Sequence, residues 1–294
     1  MVMLVNPTSK NTARTVVLGA RGFIGGALTR RLEAEGASVL ALGSGDIDLA
    51  APEATERLVA RLKPGDTVVF CACLTPDRGR DLATMMRNLA MGRNVAEAMV
   101  TAAVDYIVYL SSDAVYADDT ARIASDTKAE PGTLYGAMHL AREVMLKASV
   151  KAPLGILRAT LVYGTADTHN SYGPNRFRRM AEKDGKITLS GGGEEMRDHI
   201  TISDLVEIVL RMLRQKTRGT LLGATGRSAS FAEVAQLVAT QFTPRAEIVN
   251  LPRQNPITHR HFDVTSTLAA FPEIAFTTLG VGIARVHAEL LERR

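Results

Sequence analysis

Gly19, Gly22 and Gly25 stand in the run Gly19-Ala20-Arg21-Gly22-Phe23-Ile24-Gly25. Set between a strand and a helix, such a turn presents backbone N–H groups and the positive end of a helix dipole to a pyrophosphate. A side chain at Gly19 or Gly22 would obstruct the turn or the phosphates, and one at Gly25 would hold the helix off the strand. The chemistry on offer is dinucleotide binding. Ser112 is the next candidate, because it follows the apolar run Tyr106 to Leu110. It falls where the carboxyl end of a buried strand opens into a cofactor crevice.

From Thr15 onward the chain alternates short apolar runs with amphipathic stretches, the signature of βαβ units and a parallel sheet. Strands are predicted over Thr15 to Leu18, Ser38 to Leu42, Thr67 to Cys73, Tyr106 to Leu110 and Gly155 to Leu157. Helices are predicted over Phe23 to Glu35, closed by Gly36, then Glu53 to Leu62, Arg80 to Ala103 and Tyr135 to Ala148. After Tyr163 the rhythm changes to loops marked by Gly and Pro, with short helices and strands. The fold class is α/β: a Rossmann doubly wound parallel sheet with a smaller C-terminal α/β substrate-binding region. The expected division is a flexible tail over 1–13, a dinucleotide-binding domain over 14–165 and a substrate region over 166–294. Part of the last, about 200–225, is expected to return to the first domain.

The chain has 294 residues, 46% of them hydrophobic and 22% charged, an ordinary globular composition. Its 35 Lys and Arg against 31 Asp and Glu give a formal charge of +4 with no basic arm, so nucleic-acid binding is not suggested. Arg176, Arg178 and Arg179 form a local basic cluster suited to an anionic substrate or to a solvated helix face. Cys71 and Cys73, two apart in a strand, point to opposite faces and make no bridge, which suits a reducing compartment. No apolar stretch reaches the ~18 residues of a membrane span, and the first dozen residues lack a leader pattern, so the sequence reads as cytoplasmic. His169, His259, His261 and His287 show no metal-ligand spacing, and no metal is expected.

The G-x-x-G-x-x-G spacing resembles that of the short-chain dehydrogenase/reductase superfamily, and the segments that follow resemble its extended NAD-dependent epimerase/dehydratase members. In NAD-preferring relatives an acidic residue ends the second strand, whereas here Leu42-Gly43-Ser44 stands there. Arg21 resembles a position that touches the extra phosphate in some NADP users, so the resemblance implies NAD or NADP with a lean to NADP. Asp48-Leu49 resembles the pair that receives the adenine, Ala72-Cys73-Leu74 the cofactor-lining segment, and Asn88 the asparagine of the next long helix. Ser111-Ser112-Asp113 resembles the segment whose second hydroxyl meets the sugar oxygen. Ala114 replaces the glutamate that dehydratases use as a base, which ranks dehydration lower.

Tyr135-Gly136-Ala137-Met138-His139 resembles the Y-x-x-x-K motif with histidine for lysine. Tyrosine titrates near about 10, so proton transfer at neutral pH needs a neighbouring positive charge. His139 shares a helix face with Tyr135, where an imidazole can hold the nicotinamide ribose and carry partial charge. Three outcomes stay open: His139 replaces the lysine, Tyr135 works with weaker activation, or the site binds cofactor without turnover.

On the substrate side, Arg158 to Gly164 resembles R-P-x-x-V-Y-G, which implies that Leu161 and Val162 border the nicotinamide. Asn175 and Arg197 resemble the residues that meet a sugar nucleotide's diphosphate, and a guanidinium recognises phosphate oxygens bidentately while Asp198 orients the loop. Beyond Gly219 the resemblance thins. It implies a nucleotide-sugar epimerase or 4-keto reductase, with Tyr135 as acid and base, working as a homodimer through the helices Arg80 to Ala103 and Tyr135 to Ala148. A silent NAD(P)-binding sensor and an atypical dehydratase are the rivals.

Overall fold

β-branched residues with no exposed surface build the centre of the chain. The computed structural model describes residues 14–168, 170 and 172–293; the expected tail over 1–13 and His169 lie outside them. In chain order the first half comprises β1 (Thr15–Leu18), α1 (Phe23–Ala34), β2 (Val39–Leu42), α2 (Ala54–Val59), β3 (Thr67–Phe70), α3 (Leu82–Thr101), β4 (Tyr106–Ser112), β5 (Arg122–Ile123) and α4 (Leu134–Ser149). The second comprises β6 (Leu154–Ala159), β7 (Leu161–Tyr163), α5 (Pro174–Asp184), β8 (Lys186–Ser190), β9 (Met196–Thr201), α6 (Ile202–Gln215), β10 (Gly219–Gly223), β11 (Ser228–Ser230), α7 (Phe231–Ala239), β12 (Glu247–Leu251), β13 (His261–Phe262), α8 (Thr265–Ala270) and α9 (Leu279–Leu291).

Six strands form one parallel sheet in the order β10-β6-β4-β3-β1-β2. Alternation along β1 divides its side chains: Val17 joins Leu28 of α1 and Val209 of α6 on one face, while Val16 and Leu18 join Leu58 of α2 and Val95 of α3 on the other. Each buried Val or Leu contributes roughly 1.5–3 kcal/mol relative to exposure, so register is held from both faces. β10, which follows α6, pairs with β6 from Gly219 opposite Gly155. The sheet's edge therefore comes from a late part of the chain. The remaining segments pack as a smaller body in which Phe177, Phe231 and Val234 meet Ile187 and Leu189.

β3 ends at Phe70, short of the predicted Cys73. Side chains take over the peptide groups that follow: Arg142 donates to the Ala72 carbonyl at 2.9 Å, and Asn88 binds both the N–H and the carbonyl of Leu74, each at 2.9 Å. α3 starts at Leu82 because Asp81 caps it, accepting from the Thr84 N–H. Among the described residues no helix is long and apolar enough to cross a membrane.

Candidate active site

β1 and β3 lie side by side, and the chain leaves them in opposite directions across the sheet, which opens a crevice at their carboxyl ends. Gly19 lies there at φ +90°, and a Cβ on it would stand 2.7 Å from the Ala72 nitrogen. A Cβ on Gly25 would stand 2.2 Å from the Gly19 carbonyl oxygen. The Gly22 N–H closes the turn on that same oxygen at 3.0 Å. No side chain caps α1 at Gly22 and no acidic residue occupies its first turn, so its positive end is open beside half-buried Phe23 and Ile24. A dinucleotide's pyrophosphate fits this cradle in both shape and charge.

Ser44 is exposed beyond β2, as the sequence suggests, yet a carboxylate is close by. Asp46 accepts from the Gly43 N–H at 2.8 Å and meets Arg21 at 3.4 Å. The Arg21 side chain lies over Gly43 and is 73% exposed. Asp46 was missed because the acidic residue was sought at the strand end, although the polar turn Gly43 to Asp46 was visible. Asp48 is exposed and pairs with Arg87, whereas the Leu49 side chain is part of the core.

Two of the expected cofactor contacts have their side chains engaged within the protein. Asn88 is buried, its amide binds the Leu74 peptide, and it stands with Leu74 and Tyr135 in the wall of the cavity beside α4. The Ser111 hydroxyl turns inward to Glu143 at 2.7 Å, because alternation along β4 points it away from the crevice. Ala72, Cys73 and Leu74 remain half-buried along the crevice.

α4 carries Tyr135, and its first turn packs on the turn after β4: a Cβ on Gly136 would stand 1.9 Å from the Ala114 carbonyl oxygen. Ser112 caps that turn, accepting from the Ala114 N–H at 3.1 Å, so the hydroxyl and the phenol belong to adjoining ends of two elements. Tyr135 and His139 meet edge to face with centroids 4.6 Å apart. The surroundings of His139 disfavour a positive charge there. It is 2% exposed, its Nδ1 lies 2.8 Å from the Tyr109 phenol oxygen, and burial, with the Arg142 charge second, pushes it down to about 3. Burial thus favours the uncharged imidazole. Burial also pushes the Tyr135 phenol well above its usual range, and Cys73 beside it adds to that. Arg142 of α4 is wholly buried beneath Ala72 and Asn88, a placement that no local pattern in the sequence indicates.

Asp113 is tied to Arg260 at 3.3 Å, and Arg260 also reaches the Tyr116 carbonyl and Asp118. Burial raises the Asp113 carboxyl and Arg260 opposes that. The pair ties Arg260 to the turn after β4. The Asn175 nitrogen donates to the Gly164 carbonyl at 3.0 Å and to Asp167 at 2.7 Å, so those donors are committed to a loop. Arg197 binds the Thr258 hydroxyl and carbonyl and lies over Phe231, while buried Asp198 accepts from the Thr225 and Arg227 N–H groups. Leu161 and Val162 are half-buried on β7, beside β9. A cavity of about 600 Å³ opens beside Tyr135, lined also by Leu74, Thr133, Met138, Tyr172 and Arg176.

Residues 15–222 match the NAD dependent epimerase/dehydratase family. The chain belongs to that family. Its relatives include a dTDP-L-rhamnose 4-epimerase from Burkholderia thailandensis, 29% identical over 50% of this chain and 43% of the relative. Another is a dTDP-4-dehydrorhamnose reductase from Mycolicibacterium smegmatis, 30% identical over 68% of this chain and 60% of the relative. The chain thus spans less than two thirds of either. A UDP-glucose 4-epimerase from Thermus thermophilus, solved in complex with NAD, superposes with a TM-score of 0.80 at 22% identity over 95% of this chain and 99% of that one. At that identity the fold alone is shared. Within this epimerase/dehydratase fold, the glycine turn, Ser112 and Tyr135 all lie at the carboxyl side of the central sheet.

Proposed function

We propose that this family member exchanges a hydride between a nicotinamide dinucleotide and a ring carbon of a nucleotide sugar, as an epimerase or a 4-keto reductase. One observation carries the reading: the Tyr135 phenol borders a cavity of about 600 Å³ at the end of the sheet where α4 packs on the Ser112 turn. When bound, the dinucleotide supplies the hydride chemistry. Tyr135 takes up or returns the sugar hydroxyl proton, and Ser112 orients that oxygen. Backbone N–H groups at Phe23 and Ile24 hold the pyrophosphate, and Ala72 to Leu74 line the ring site. Arg197 grips the sugar nucleotide's diphosphate, with Arg176 beside the cavity as a second cation.

Arg21 suits the extra phosphate of NADP and Asp46 suits the free ribose of NAD. The exposed guanidinium, held by one 3.4 Å contact, favours NADP. Two copies are proposed to pair through α3 and α4, which leave Met86 and Val100 on α3 and Val144 on α4 more than half exposed. Light scattering tests that pairing.

The decisive experiment offers the purified protein NAD, NADP and their reduced forms by calorimetry, then a panel of dTDP- and UDP-sugars and their 4-keto forms. Turnover that Tyr135→Phe removes is the expected result. Binding of cofactor without turnover would favour the silent sensor, and absence of dinucleotide binding would overturn the reading. Cofactor that survives purification marks an epimerase.

A further inference from the structure

Arg158 on β6 stands opposite Ser111 on β4 in the parallel register, so both side chains leave the same face of the sheet. There they meet Glu143 of α4. Its carboxylate accepts from Arg158 Nε at 2.9 Å, from Arg158 Nη2 at 2.8 Å and from the Ser111 hydroxyl at 2.7 Å. Glu143 has no exposed surface, and Lys147 adds a looser contact at 3.5 Å. Burial works against the carboxylate, yet the Arg158 hydrogen bonds and charge hold it below its usual range. A buried ion pair is often no more stabilising than apolar residues of similar volume, so packing alone gives little reason for one here.

The pair reaches both sides of the turn that carries Ser112. Before it, Ser111 donates to Glu143. After it, the Tyr116 phenol oxygen accepts from Arg158 Nη1 at 3.0 Å, and the guanidinium lies over the Tyr116 ring at 5.1 Å. Between these anchors the Ala114 N–H donates to the Ser112 hydroxyl and the Tyr116 N–H to the Asp113 carbonyl, each at 3.1 Å. Glu143 follows Tyr135 on α4 by about two helical turns. The carboxylate that grips the turn is therefore built into the helix that carries the phenol.

We propose that Glu143 and Arg158 are positioning residues that fix the Ser112 turn against Tyr135, gripping Ser111 on one side and Tyr116 on the other. The proposal rests on Ser112 and Tyr135 as the groups that meet the sugar oxygen. In such a site a misplacement of about 1 Å can cost about a hundredfold in rate. Arg260 holds the same turn from elsewhere, through the Asp113 and Tyr116 carbonyls at 3.1 and 3.2 Å, so releasing one anchor loosens the turn without freeing it.

Amide hydrogen exchange tests the grip without any substrate. In Ser111→Ala, which keeps the ion pair, the Ala114 and Tyr116 amides should exchange about tenfold faster, the worth of one hydrogen bond. The Cys71 amide, bound to the Leu18 carbonyl at 2.9 Å, should keep its wild-type rate. Ser111→Thr retains the hydroxyl and should restore protection. Unchanged turn amides, or an equal rise at all three, overturns the proposal. Tyr116→Phe releases the other side and serves as the same test should Ser111→Ala not fold. Where a nucleotide sugar is turned over, Ser111→Ala should lower kcat about tenfold with the dinucleotide KM unchanged, and a loss confined to KM overturns the positioning role. Should Tyr135→Phe leave turnover intact, the reading of Tyr135 falls while the exchange result stands by itself.

Discussion

The phenol oxygen of Tyr109 and Nδ1 of His139 lie 2.8 Å apart, a contact that joins β4 to α4 beside the catalytic candidate Tyr135. It gives the imidazole a fixed partner inside the protein and removes it from the crevice. Position 139 therefore contributes through the interior.

His139→Lys places an ammonium in this same dry space next to Arg142. Two buried cations with no added anion should cost about 3 kcal/mol of stability. Urea unfolding of the variant against the wild type measures it, and a loss below about 1 kcal/mol would mean the site is wetter than described.

Gly25→Ala forces a methyl group against the Gly19 carbonyl, where 2.2 Å is available. The turn must open, and dinucleotide affinity should fall by at least about tenfold, the equivalent of roughly 1.4 kcal/mol of overpacking strain. Calorimetry with NADPH and NADH decides, alongside circular dichroism to establish that the variant is folded.

Arg197→Met keeps an unbranched side chain and removes the guanidinium that lies over Phe231. Affinity for dTDP or UDP should drop by about 2 kcal/mol, the worth of hydrogen bonds to a charged group, while dinucleotide affinity stays put. Equal losses for both ligands would assign Arg197 to architecture.

Acid should destabilise the fold through His199. This ring is 4% exposed with both nitrogens unpartnered among the described residues, and burial, with the Arg197 charge second, pushes it to about 3. An unfolded histidine binds its proton near 6.5, so between pH 6.5 and about 3 the unfolded state holds the extra proton and stability falls with pH. His139 acts in the same sense. Asp198, raised by burial to about 6, acts oppositely below that pH. His199→Phe should flatten the slope by up to about 1.4 kcal/mol per pH unit. Unfolding titrations at pH 7, 6 and 5 compare the two slopes, and parallel slopes would rule the ring out.

Local signals carried much of this molecule. The run Thr15 to Leu18, the glycines at 19, 22 and 25 and the strand leading to Ser112 are short-range patterns whose physics is contained in a dozen residues. What depends on distant neighbours was not legible. Seven residues past Tyr135, Arg142 looks like any solvated helix arginine until the peptides at 72 and 88 close over it. The proton state of His139 depends on burial and on Tyr109, thirty positions earlier. Sequence places Asn88 and Ser111 near the crevice but does not show that one amide binds the Leu74 peptide and that the other hydroxyl turns to Glu143.

Gly92 has a consequence for how this chain can change. It sits mid-helix on α3, where glycine costs about 1 kcal/mol against alanine, and its missing side chain is filled by the Arg142 stem. The two positions therefore vary as one: a larger residue at 92 would evict the guanidinium, and a smaller residue at 142 would leave a hole that alanine at 92 could line.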